Sequence, residues 1–190
     1  MKKFLLSQII FFSLVISDFT VTAAIDQNFA ADPQYQGAVE KRAIRNLDIA
    51  ITSMQSSPDP DVIAEGFHLQ SLAYDLNPTV YIQNGELKNP SGKTPKCIEI
   101  DAFSVSKLYE DNSQFGQVEL VEVRIQQAGE LETIINAVNF QNLPNLKYLV
   151  IHCSFEICTG PGCEAPIISQ MVQGTENSDF MILYQISVSE

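Results

Sequence analysis

Positive charge is what this sequence has least of: 11 Lys and Arg stand against 23 Asp and Glu, a formal net charge of −12 at pH 7 and a pI near 4.4. So acidic a chain is repelled by phosphate backbones and anionic membrane surfaces, which argues against a nucleic-acid partner. No P-loop, G-x-G-x-x-G, G-x-S-x-G or H-E-x-x-H occurs, so none of the enzyme classes those motifs mark is indicated and no cofactor is implied. A C-x-x-C pair is missing too, which sets aside thiol oxidoreductases. Beyond the first two dozen residues no apolar run approaches the roughly 20 residues a membrane span requires. Asn77-Pro78-Thr79 and Asn89-Pro90-Ser91 mimic glycosylation acceptors, but proline in the middle blocks both. What the chain does have is an ordinary globular composition, 45% hydrophobic and 18% charged over 190 residues, enough for one sizeable core.

Residues 1–24 read as a secretory signal peptide. Lys2 and Lys3 form a basic start, Phe4 to Ser17 an apolar stretch, and Val21-Thr22-Ala23 or Thr22-Ala23-Ala24 a small-residue cleavage context. A retained anchor is the alternative, but the stretch is short for a span and Ser7 and Gln8 interrupt it. The expected product is an exported protein, periplasmic or extracellular, with no stable membrane insertion after cleavage.

The cysteines are Cys97, Cys153, Cys158 and Cys163. An even number in an oxidising compartment favours disulfides. Thr159 to Gly162 is a turn-forming run that brings Cys158 to Cys163, leaving Cys97 to pair with Cys153 across a long loop. The rival is a metal site of His152, Cys153, Cys158 and Cys163. Its spacing lacks the short C-x-x-C knuckle, and neighbours His152 and Cys153 point to opposite faces of a strand, so no metal is expected.

Residues 25–78 read as an N-terminal helical segment. Asp32-Pro33 offers a cap, and Val39, Ala43, Leu47, Ala50 and Met54 carry an apolar stripe to about Gln55. Asp59-Pro60 repeats the device and opens a second helix, on which Asp61, Glu65 and His68 share a face. A solvated face is the plainer reading of that trio, an acid–base or metal group the sharper one.

Residues 79–190 change character. Runs at Thr79–Gln83, Cys97–Asp101, Val118–Ile125, Leu146–Cys153 and Met181–Val188 alternate with period two. Helix-like segments over Ser104–Phe115, Glu130–Asn142 and Pro166–Gln173 separate the later runs, and Gly85–Lys96 reads as a loop. Strand and helix in alternation indicate a mainly parallel sheet. Because Ile98 and Ile100 alternate with Glu99 and Asp101, and Val121 and Val123 with Glu122 and Arg124, the expected fold is α/β. It is a single-layer, mainly parallel sheet with helices on one face, preceded by the helical pair.

The phrase Leu143-Pro144-Asn145-Leu146-Lys147-Tyr148-Leu149-Val150-Ile151 resembles one unit of a leucine-rich repeat, and Val118, Val121 and Val123 give a weaker copy. Aligned at Val80, Ile98, Val121, Leu149 and Ile182, the middle two gaps fall within the family's repeat length of about 20 to 29 residues. The family's Asn or Cys five positions on is replaced by Gly85, Phe103, Gln126, Ser154 and Ser187. The resemblance implies a solenoid with an open binding face and carries no catalytic residues.

That alignment puts two rows on the exposed face. One is Tyr81, Glu99, Glu122, Val150 and Leu183; the other is Gln83, Asp101, Arg124, His152 and Gln185. The mixed, mildly acidic surface suits a protein or peptide partner and a non-enzymatic binding module. Two alternatives stand beside it. The N-terminal helix covers this face, or Asp101, Arg124 and His152 form the site of a cell-envelope hydrolase.

Overall fold

A computed structural model describes residues 43–160, 162–176 and 178–188. The signal-peptide reading of residues 1–24 and the Asp32-Pro33 helix start lie outside them. The alternating segments build what their period demands. Strand β1 (Arg45–Asn46) precedes helices α1 (Leu47–Gln55) and α2 (Pro60–Tyr74). Strands β2 (Thr79–Gln83), β3 (Glu86–Lys88), β4 (Cys97–Asp101) and β5 (Leu120–Ile125) follow. Then come β6 (Ile135–Asn136), β7 (Tyr148–Cys153), helix α3 (Glu164–Met171), β8 (Val172–Gln173) and β9 (Met181–Ile186). The protein is mixed α/β with a mostly parallel seven-stranded sheet ordered β1-β9-β7-β5-β4-β2-β3. From β2 through β4, β5 and β7 to β9, each strand lies beside the next in chain order, parallel, with Val80, Ile98, Val121, Leu149 and Ile182 in register. Among the described residues only β3 runs antiparallel to its neighbour. It folds back on β2 through Asn84 and Gly85 at φ 52° and 75°, the left-handed pair that a two-residue hairpin turn requires.

Period two then divides the side chains between two cores. One face carries Ile98, Ile100, Val121, Val123, Leu149 and Ile151, all fully buried beneath the crossovers. Where the sequence predicts helices over Ser104–Phe115 and Glu130–Asn142, the chain makes short 3-10 turns at Ala102–Tyr109, Ser113–Gln117, Ala128–Glu132 and Ala137–Asn142. Short polar side chains start three of them, Asp101 accepting from Ser104 N, Asn112 from Gln114 N and Asn136 from Val138 N. A 3-10 turn climbs about 2.0 Å per residue, so few residues are needed to return to the next strand.

The other face is covered in part, as in the alternative that lays the N-terminal helical segment over it. Helices α1 and α2 bury Leu47, Ala50, Ile51, Met54, Leu69 and Leu72 against Cys97, Leu120, Tyr148, Val150 and Leu183. Among the described residues the helical stripe starts at Leu47, and Ala43 lies outside it. Asn46, extended at φ −63° and ψ 136°, accepts from Asp48 N and Ile49 N and so starts α1, while Arg45 and Asn46 pair with Leu183 and Tyr184 of β9. Asp59 and Pro60 open α2 as expected.

Parity also decides the cysteines. Cys158 and Cys163 form a disulfide. Cys97 and Cys153 do not, and the expected second bridge is a correction. Cys97 stands in the row of Leu120 and Tyr148 under the helical pair, whereas Cys153 stands level with Ile125 in the opposite core. A sheet lies between them, and β5 separates their strands, beyond the roughly 7 Å that a disulfide's Cα atoms can span. Among the described residues no helix is long and apolar enough to cross a membrane.

Candidate functional site

The helical pair ends over the starts of the strands and over β7 and β9. Of the predicted binding residues, Val150 and Leu183 are therefore buried, at 2% and 0% exposure, and leave the accessible face. Gln185 stays part-exposed but donates to the Tyr74 hydroxyl at 3.2 Å, at the edge of the cover. Tyr81, Glu99, Asp101, Glu122, Arg124 and His152 remain part-exposed on adjacent parallel strands, and Gln83 is exposed at the end of β2.

A charge cluster organises this surface. Arg124 Nε lies 3.1 Å from Glu99 Oε1 and 3.1 Å from Glu122 Oε1. Glu122 Oε1 also accepts from His152 Nδ1 at 2.8 Å; a carboxylate can only accept here, so Nδ1 carries a proton. The two carboxyls diverge in character. Burial dominates Glu99 and holds its carboxyl above the ordinary value, although Arg124 pulls the other way. Burial acts on Glu122 too, but the hydrogen bond and charge of His152 and the charge of Arg124 outweigh it and hold the carboxyl low.

Asp101 does not join them. Its Oδ1 accepts from Ser104 N at 2.8 Å and its Oδ2 from Asn84 N at 2.6 Å, so it caps a 3-10 turn and anchors the β2–β3 hairpin. The predicted Asp101–Arg124–His152 grouping is thus replaced by Glu99, Glu122, Arg124 and His152. Glu99 and Glu122 were legible as face residues; their partnership was not, because register gives adjacency but not rotamers.

Other candidate clusters disperse. Glu65 accepts from the Tyr148 hydroxyl at 3.2 Å, His68 Nε2 meets Glu119 Oε2 at 2.8 Å, and the Asp61 backbone N–H donates to Asp59, so among the described residues the α2 trio does not converge. His152, Cys153, Cys158 and Cys163 do not converge. Cys153 belongs to the core opposite His152, and the last two sulfurs are bonded to each other.

Two shallow cavities open past the carboxyl ends of the central strands, the usual ligand position in open parallel sheets. One of about 360 Å³ lies beyond β2, β4 and β5 and the other, about 310 Å³, beyond β5 and β7; Arg124 and Gln126 line both. No family model matches this chain, and no curated protein or solved structure gives a significant match.

Proposed function

We propose that this chain is an exported, non-enzymatic interaction module that holds a protein or peptide segment against the uncovered half of its sheet face. One observation carries the reading: Tyr81, Glu99, Glu122, Arg124 and His152 stand side by side, part-exposed, on adjacent parallel strands beside the helical cover. Such a face offers fixed donors and acceptors in rows at strand spacing, which an extended chain can meet. The amino-terminal signal layout and the Cys158–Cys163 bond support a periplasmic or extracellular setting. Strands in chain order joined by short 3-10 turns support reading residues 79–188 as leucine-rich-repeat-like.

A second reading, a cell-envelope hydrolase, is favoured by one feature. Glu99 and Glu122 are pushed in opposite directions beside a single guanidinium, as acid and base partners are. Photo-crosslinking in the producing cell separates the two. A crosslinker at Tyr81 or Gln83 is expected to trap one partner, lost on Arg124→Glu, while one at Val138 on the side of the 3-10 turns traps none. Equal labelling at all three positions overturns the binding face. Hydrolysis of an ester or glycoside that falls with Glu99→Gln and with Glu122→Gln would establish the enzyme instead.

A further inference from the structure

The cavity beyond β2, β4 and β5 has a lining whose carboxylates are already hydrogen-bonded or paired. Asp101 is held by two backbone N–H groups, and the buried Glu130 accepts from Gln126 N at 2.7 Å. Glu99 faces Arg124 at 3.1 Å. Three carboxylates against one guanidinium keep the lining acidic, which disfavours an anionic ligand, and their bonds leave few carboxylate oxygens open to a cation. The groups still unpartnered are of another kind. The carboxamides of Gln83, Gln126 and Gln127 line the cavity and make no side-chain hydrogen bond to any described residue. Phe103 stands at the rim 72% exposed, its ring contributing nothing to the core.

We infer that this cavity is a carbohydrate subsite that takes one neutral pyranose unit. A carboxamide donates and accepts at once, as a sugar hydroxyl does, so three of them match a ring bearing hydroxyls on several sides. Phe103 supplies an apolar plate for the C–H face of that ring, with its large area free of polar atoms. The second oxygen of Glu99 and the guanidinium Nη atoms of Arg124, already fixed by their mutual pairing, add oriented acceptors and donors at low entropic cost. A volume of about 360 Å³ sits at the small end of the ligand-pocket range of about 300–1,000 Å³, fitting one ring rather than a chain of them. The inference goes beyond the peptide-binding face and does not depend on it, although Glu99 and Arg124 belong to both.

The test is titration of the full exported chain with methyl glycosides of neutral hexoses and N-acetylhexosamines, followed by amide and side-chain NMR shifts. The expected result is millimolar binding with shifts concentrated at Phe103, Gln126 and Gln127. Phe103→Ala weakens it about tenfold, as does Gln127→Ala, while the backbone spectrum elsewhere is unchanged. Absence of shifts at those residues for the whole glycoside series overturns the inference, as does binding unaffected by both substitutions. Lysine methyl ester and acetate serve as charged probes; stronger shifts from either than from every glycoside also overturn it. The crosslinking outcome at Tyr81, which does not line this cavity, is independent of these results, so either idea can fail alone.

Discussion

Glu119 joins the two layers of the protein. It precedes β5 in a row with Lys96 before β4 and Lys147 before β7; its Oε1 meets Lys96 Nζ at 2.7 Å and its Oε2 meets Lys147 Nζ at 2.7 Å. His68 of α2 reaches the same carboxylate. Burial would raise this carboxyl, but the bonds from Lys147, Lys96 and His68 outweigh it and lower it to about 2. A carboxyl depressed on folding adds stability above its unfolded value of about 4.3, and that contribution is lost as pH falls towards about 2. Glu119→Gln is therefore expected to cost on the order of 2 kcal/mol at neutral pH, less than the full shift because both lysines are half exposed. The gap to the parent protein closes on acidification to about pH 2. Urea unfolding across that range checks it; a gap that stays constant removes the carboxylate's ionisation from the account. Nothing in the sequence singles Glu119 out, since its partners lie on three different elements and only register unites them.

At the scale of elements, alternation was the legible signal and its interruptions were not. Five strands and their register follow from isoleucines and valines spaced by two, because a slip of one residue would exchange buried and wet faces. Arg45–Asn46 and Glu86–Lys88 are too short or too polar to alternate, and the helical spacing of Ala43, Leu47 and Ala50 hides the Asn46 cap. The Asn84-Gly85 pair is a readable hairpin signal at the start of what reads as the Gly85–Lys96 loop. The contact of α1 with α2 rests on Gly66, which no periodicity announces. A Cβ there would lie 2.9 Å from Met54 Cβ and 3.1 Å from Gln55 N. Gly66→Ala should accordingly lower the thermal midpoint, at a cost of about 1–3 kcal/mol, despite alanine's better helix propensity. A raised midpoint would mean that the helices separate easily and pack loosely on the sheet.

For the molecule as a whole, the cysteines test the arrangement of two cores around one sheet. Burial pushes the Cys97 thiol up to about 12 and the Cys153 thiol up to about 11, so neither is a ready thiolate. Native protein is expected to resist iodoacetamide, whereas denatured, unreduced protein takes the label at Cys97 and Cys153 alone. A protein that takes no label after denaturation would carry a second bridge, and the opposition of the two faces would be wrong. The acidic charge balance was plain in the composition; which face the helices cover was not, because an apolar stripe says that something is buried and not where.

Strand β1 sits on the far edge of the sheet, parallel to β9, with Arg45 opposite Leu183. Every other main-sheet pairing joins strands that lie close in chain order, so it can form early. This one joins β1 to β9 and waits longest. Leu47 and Ala50 follow β1 into the core that also holds Leu183, so the helical pair lacks part of its seat until the last strand arrives. A chain emerging from its amino end, as every chain does in synthesis, keeps that latch open until β9 follows, and so stays pliable across all the residues between Asn46 and Met181.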